Sequence, residues 1–264
     1  MNKERPKLPR KEDELRPRSL RIGVIGAMAS GKSTLAFLLG EKWGATIIEE
    51  QFQDNPFLTS FYDNPAKLGI CFNTQMSFLG LKAKQMGHRG IDQTSSSQVQ
   101  IFDPSIEMDS LYAQVQAEMG LMEHNEHNTY NLVYEAIRKD AIIPIDFFII
   151  VDAPSEILLD RILDIRKRQF EHPEFFSNFP DYLPRLVDAT RRWKTETASE
   201  NPNIVIDTAH NNFVDSPGKR KKVEVKIESE IRKFLDFSSH SNEKLGVPVG
   251  KDGAPIIIPD FIKI

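Results

Sequence analysis

An α/β fold, with a five-stranded parallel sheet and helices on both faces, follows from three features of the sequence. Short runs rich in Ile, Val and Phe alternate with longer stretches whose apolar residues recur at helical spacing, as strand–helix–strand units require. One run, Phe147-Phe148-Ile149-Ile150, is apolar at every position, which suits a strand covered on both faces. A glycine-containing loop follows the first run and opens the first helix. In parallel sheets, ligands gather at the carboxyl ends of the strands, where such loops lie.

Leu20 to Ile25 reads as the first strand, and Ser33 to Trp43 as a helix with Leu35, Leu38 and Leu39 on one face. Thr46 to Glu50 is a second strand ending in carboxylates. Pro65 to Gly87 reads as helix, closed by Gly87 or Gly90, and Gln98 to Phe102 as the third strand. Asp109 to Arg138 is mostly helical, and Asp146 to Val151 is the fourth strand. Ser155 to Arg168 and Tyr182 to Ser199 are amphipathic helices, Asn203 to Ile206 is the fifth strand, and Glu224 to Leu235 is the last helix. The glycine loop, Glu50, Asp103 and Asp152 all fall at strand ends and should share one rim. Residues 1–18, charged and carrying Pro6, Pro9 and Pro17, read as a mobile arm, 19–237 as the domain and 238–264 as a C-terminal extension. Within the extension, Lys251-Asp252-Gly253 could close a small hairpin.

A chain of 264 residues supports one sizeable core. With 34 Lys and Arg against 38 Asp and Glu, it does not have the charge of a nucleic-acid-coating protein. The single cysteine, Cys71, excludes an internal disulfide and suits a reducing compartment. No run is long enough to span a membrane and no apolar signal segment opens the chain, so the expectation is a cytoplasmic protein with neither nucleic-acid nor membrane partner.

Gly26-Ala27-Met28-Ala29-Ser30-Gly31-Lys32-Ser33 matches G-x-x-x-x-G-K-[ST] between a strand and a helix, with Thr34 continuing into that helix. Backbone N–H groups of such a loop turn inward on phosphate oxygens, and the helix N-terminus adds positive potential. Lys32 would reach the β- and γ-phosphates of ATP, and Ser33 would ligate Mg²⁺. The motif alone does not name the acceptor.

Downstream segments resemble the deoxynucleoside kinases, most closely the bacterial deoxyadenosine, deoxyguanosine and deoxycytidine kinases. They are Glu49-Glu50-Gln51 with Asn55-Pro56-Phe57, Phe61 to Pro65, Gln75 with Lys82, Phe102 to Asp109, Arg161 to Glu171, Tyr182-Leu183 with Arg192-Trp193, and Val205 to Thr208. The resemblance runs from about residue 20 to residue 235. It implies a P-loop kinase fold with a small arginine-containing lid, ATP and Mg²⁺, and a deoxynucleoside acceptor. It also implies a homodimer through helices around 66–86 and 110–138, or a heterodimer with a paralogue. Glu50 would take the proton from the 5′-hydroxyl, and Asp103 would hold Mg²⁺. Tyr62 and Glu171 would bind the 3′-hydroxyl, and Gln75 and Asp109 would read the base edge. Lys82 falls where the family usually has an Arg beside that Asp. Arg166 and Arg168 would close on the transferring phosphoryl group.

Plainer readings remain open at this level. Glu50 could be a solvated strand end, Asp103 a turn former with Pro104, and Arg166 to Arg168 a solvated helix end. Gln75 and Asp109 could be polar residues of a helix face, and Tyr62 could simply pack. His124 and His127 read as a solvated helix face rather than a metal pair, and Lys219-Arg220-Lys221-Lys222 as an exposed loop. Pro104 stands where the family has the Arg of its Asp/Glu-Arg-Ser motif, with Lys82 and Arg89 as the nearest replacement cations. A catalytically weakened, nucleotide-binding subunit is therefore a second reading, and a nucleoside monophosphate kinase a third. The lid carries one extra residue near Asp164 or Ile165, and Lys167 replaces its glycine.

Overall fold

The computed structural model describes residues 17–87, 97–211, 213–240 and 247–262. Five strands, β1 (Leu20–Ile25), β2 (Thr46–Glu49), β3 (Val99–Asp103), β4 (Phe147–Asp152) and β5 (Asn203–Asp207), form the sheet. Their order is β2-β3-β1-β4-β5, and every neighbouring pair is parallel. The helices are α1 (Lys32–Trp43), α2 (Leu58–Asp63), α3 (Ile70–Met86), α4 (Ile106–Glu118), α5 (His124–Asp140), α6 (Ser155–Asp160), α7 (Pro173–Asn178), α8 (Tyr182–Glu196) and α9 (Pro217–His240).

Alternation along the strands divides the core. Leu20, Ile22 and Val24 of β1 face Leu35 and Leu39 of α1 and Ile227 and Ile231 of α9. Ile25, Phe102, Phe148 and Ile150 face the other way, into a layer with Leu79 of α3, Leu111 of α4, Tyr130 of α5 and Leu186 of α8. Both faces of the sheet are thus covered, as the apolar strand runs require.

The differences from expectation have local causes. The helix expected from Pro65 starts only at Ile70, after Gly69 at φ 75°, with the short α2 ahead of it. The stretch from Asp109 to Arg138 is mostly helical as expected, in two pieces: α4 ends before Gly120, φ 70°, and α5 starts with a capping box between Glu123 and Glu126. The basic run 219–222 is not a loop but the start of α9. Cations disfavour a helix N-terminus, but here Lys219 caps the His210 carbonyl, and Arg220 caps those of Phe213 and Val214. The helix from Ser155 turns into a π-helix over Arg161–Arg166 and stops at Lys167, which takes φ 43°. A π turn is how a helix accommodates one added residue.

The C-terminal extension returns to the start of the sheet. Arg18, assigned to the mobile arm by sequence, is fixed there, while 1–16 lie outside the described residues. Its backbone donates to the Pro255 carbonyl at 2.9 Å and accepts from the Ile257 N–H at 2.8 Å. The Arg18 guanidinium forks onto fully buried Asp146 at 2.7 and 2.8 Å and also reaches Asp252 at 2.7 Å. Arg21 binds the same Asp252 at 2.8 Å. The expected turn at Lys251-Asp252-Gly253 forms, with a bridge between Val249 and Pro255. Phe261 stacks on Trp43, centroids 4.4 Å apart. No helix among the described residues is long and apolar enough to cross a membrane.

Candidate active site

The loop between β1 and α1 needs its glycines. Gly26 takes φ 149°, and a Cβ there would overlap the Val151 carbonyl oxygen; Gly31 takes φ 100°. Ala29, at φ 59°, completes the turn. Ser33 and Thr34 are exposed at the helix mouth, and the buried Ser30 Oγ has no hydrogen-bond partner. Lys32 Nζ donates to the Ala27 carbonyl at 2.9 Å. Burial pulls its ammonium down to about 8, against the attraction of Asp103 and with the repulsion of Arg166. An anion beside Lys32 would relieve that cost.

A cleft opens next to the loop. Met28, Glu50, Tyr62, Gln75 and Asp109 line it together with Arg166, Arg168 and Glu171, and Phe52, Tyr112 and Phe170 supply aromatic walls. Gln75 Oε1, Asp109 Oδ2, Gln116 Oε1 and Glu171 Oε2 are buried without partners. Orphaned buried acceptors of this kind need a ligand or water to complete them. Glu171 Oε1 lies 3.1 Å from Arg166. Burial raises the Glu171 carboxyl, and Arg166 opposes the rise. Burial also raises the Tyr62 phenol, whose hydroxyl meets Met28 Sδ at 3.9 Å. The Arg168 guanidinium lies 3.9 Å from the centroid of Phe52.

Glu50 enters from the end of β2, its N–H bonded to the Asp103 carbonyl at 2.9 Å. Asp103 ends β3, buried, with Oδ1 unpartnered and a cis bond to Pro104. The phosphate loop and the cleft thus meet at Glu50, Asp103 and Lys32.

A family model described as deoxynucleoside kinase matches residues 22–233. The chain belongs to the deoxynucleoside kinase family. A deoxyguanosine kinase of Lactobacillus johnsonii is 28% identical over 221 residues, covering 82% of this chain and 94% of that protein. A deoxyguanosine kinase of Bacillus subtilis is 31% identical over 194 residues, covering 74% of this chain and 87% of its own. Among solved structures, the deoxyadenosine kinase of M. mycoides with dCMP and dCDP bound superposes with a TM-score of 0.64 at 20% identity, covering 80% of this chain and 99% of that one. At that identity the likeness shows the shared fold.

Within this deoxynucleoside kinase, every residue expected at the acceptor lines the cleft except Lys82. Lys82 sits behind the wall, 2% exposed, and donates to the Pro104 carbonyl at 2.6 Å. Its ammonium meets protein groups, the Pro104 carbonyl and the Glu50 carboxylate. Arg89, the other replacement cation considered, lies outside the described residues. Asp152, expected on the same rim, is paired with Arg191 at 3.0 Å. His124 and His127 bond Asn128 and Asn131, and no metal-binding cluster occurs among the described residues.

Three supports escaped the sequence reading. Arg161 donates to Thr208 Oγ1 and to its carbonyl, both at 2.9 Å, and Thr208 Oγ1 donates to the Ser30 carbonyl at 2.9 Å. Together they tie the loop to β5 and to the root of the lid. Gln116, third of these, lies on α4 among apolar residues and projects its amide into the cleft.

Burial pushes the Asp109 carboxyl up to about 8; Lys82 pulls it down, while Glu50 and Glu107 push it further up. An acid raised on folding binds more protons in the native state, so stability is full below its unfolded value near 4 and falls as pH rises toward 8. Asp109→Asn is expected to flatten that fall in urea midpoints measured across the window. An unchanged slope would show that Asp109 is not its source.

Proposed function

We propose that this kinase transfers the γ-phosphoryl group of ATP to the 5′-hydroxyl of a deoxynucleoside. The observation that carries the reading is the position of Glu50, on the cleft wall and at the edge of the phosphate loop. A carboxylate there can accept the proton of an acceptor hydroxyl as its oxygen attacks phosphorus. Tyr62 and Glu171 would hold the sugar. Gln75 and Asp109, with their unpartnered oxygens, would read the base, favouring a purine deoxynucleoside or deoxycytidine.

Lys32 and the loop from Gly26 to Thr34 would hold the triphosphate. Arg166 and Arg168 would swing from Glu171 and Phe52 to offset charge on the transferring group. The unpartnered Asp103 Oδ1 and the exposed Ser33 hydroxyl are hard oxygen donors of the kind Mg²⁺ takes. These two residues fit the ion, which when bound neutralises phosphate charge.

We extend the proposal to a cytoplasmic homodimer through the α3–α5 surface, where Leu132 is 75% exposed. Light scattering that reads only the 30.1 kDa chain mass would remove the dimer.

The functional test mixes the protein with Mg²⁺, γ-labelled ATP and each of the four common deoxynucleosides. Labelled monophosphate in one or two lanes supports the proposal and gives the base preference. No label in any lane, with ATP binding intact, refutes it in favour of a nucleotide-binding subunit.

A further inference from the structure

We propose that Lys82 is a positioning residue for Glu50, holding the carboxylate from behind the cleft and supplying the opposite charge beside it. The inference rests on the kinase reading above.

Lys82 Nζ lies 3.4 Å from Glu50 Oε1, and its side chain is 3% exposed. Among the described residues, no other Lys or Arg forms an ion pair with the Glu50 carboxylate. A buried ammonium is costly unless paired and hydrogen-bonded. Here it is both, through Glu50 and the Pro104 carbonyl. The second contact matters as much as the first. Pro104 follows Asp103, whose carbonyl accepts the Glu50 N–H. Backbone and side chain of Glu50 are thereby fastened to the same corner, one directly and the other through α3. No cleft-lining position is left to Lys82, and no ion pair joins it to Asp109.

The experiment compares Lys82→Met and Lys82→Gln with the unaltered enzyme in steady-state kinetics, alone and combined with Glu50→Gln. Two acceptors are used: the best common deoxynucleoside, and purine 2′-deoxyriboside, which has no exocyclic group to read. Both single variants are expected to lose about tenfold in kcat, with the acceptor KM within about threefold. Lys82→Gln keeps an N–H donor, one bond shorter, but carries no charge, so an equal loss in both variants assigns the effect to the ammonium. The loss should be the same on both acceptors. In the Glu50→Gln background, adding Lys82→Met should cost less than about twofold, because a residue that acts through Glu50 has nothing left to position.

Full additivity in that background would overturn the proposal. So would an unchanged kcat. A KM effect that vanishes on the stripped purine would overturn it too, by making Lys82 a reader of the base. Thermal melts and binding of a non-hydrolysable ATP analogue establish that the variants fold; should Lys82→Met not fold, Lys82→Gln carries the same comparisons. Absence of turnover in the unaltered enzyme would instead strike the proposed function.

Discussion

Glu50→Gln is expected to lower the rate of phosphoryl transfer by about 10²- to 10⁴-fold and to leave deoxynucleoside binding within about threefold. The amide keeps the shape of the carboxylate and loses its proton affinity, so the change falls on the chemical step. Glu50 stands where the cleft and the phosphate loop meet, and the neighbouring groups that would bind the acceptor, Gln75, Asp109 and Glu171, are untouched. Single-turnover measurements with pre-bound ATP separate the two effects. A variant retaining more than about a tenth of the rate would mean that the hydroxyl proton leaves by another route.

Arg18→Met is expected to cost about 3–5 kcal/mol of folding stability, the range for breaking a buried ion pair. Asp146 is fully buried and receives two hydrogen bonds from the Arg18 guanidinium and one from the Arg21 N–H at 3.0 Å. Removing Arg18 leaves a carboxylate in the interior with only the last of these. Asp252 would keep Arg21 but lose its tie to Arg18. The double change Arg18→Met with Asp146→Asn should recover part of the loss, because the orphaned charge goes as well. Urea unfolding at neutral pH measures both. The cluster sits at the amino ends of β1 and β4, across the sheet from the phosphate loop, so kcat below the melting transition should not change. A loss under about 1 kcal/mol for Arg18→Met would show that the cluster does not fasten the turn at Asp252 to the start of the sheet.

The sheet was legible in the sequence because short runs rich in Ile, Val and Phe, with Phe147 to Ile150 apolar at every position, alternate with stretches of helical spacing. The phosphate loop was legible because its glycines and Lys32 recur at fixed offsets. Glu50, Gln75, Asp109 and Glu171 were legible by resemblance, and the structure gathers them around one cleft. Contacts between remote segments leave no such trace. The sequence marks Lys82 as a candidate replacement cation by resemblance; only the fold reveals that it faces Pro104 and Glu50 rather than the cleft. Arg18 looks like part of a charged arm until Asp146 and Asp252 are brought to it. The first turn of α9 was misread because charge alone argued for a loop, whereas Lys219 and Arg220 act on loop carbonyls and Lys221 and Lys222 face solvent. Gln116 sits in a mixed helix whose polar and apolar residues give no clear face.

The π turn at Arg161–Arg166 bears on how the lid keeps its aim. Each residue added to a strict α-helix rotates everything beyond it by about 100° about the axis. With the one extra residue that the family resemblance places before Arg166, an unbroken helix would swing that guanidinium away from Glu171. The wider turn absorbs the added residue, and Arg166 still meets Glu171 at 3.1 Å, while Arg161 at the other end still clasps Thr208. The bulge works as a phase corrector between two anchored arginines.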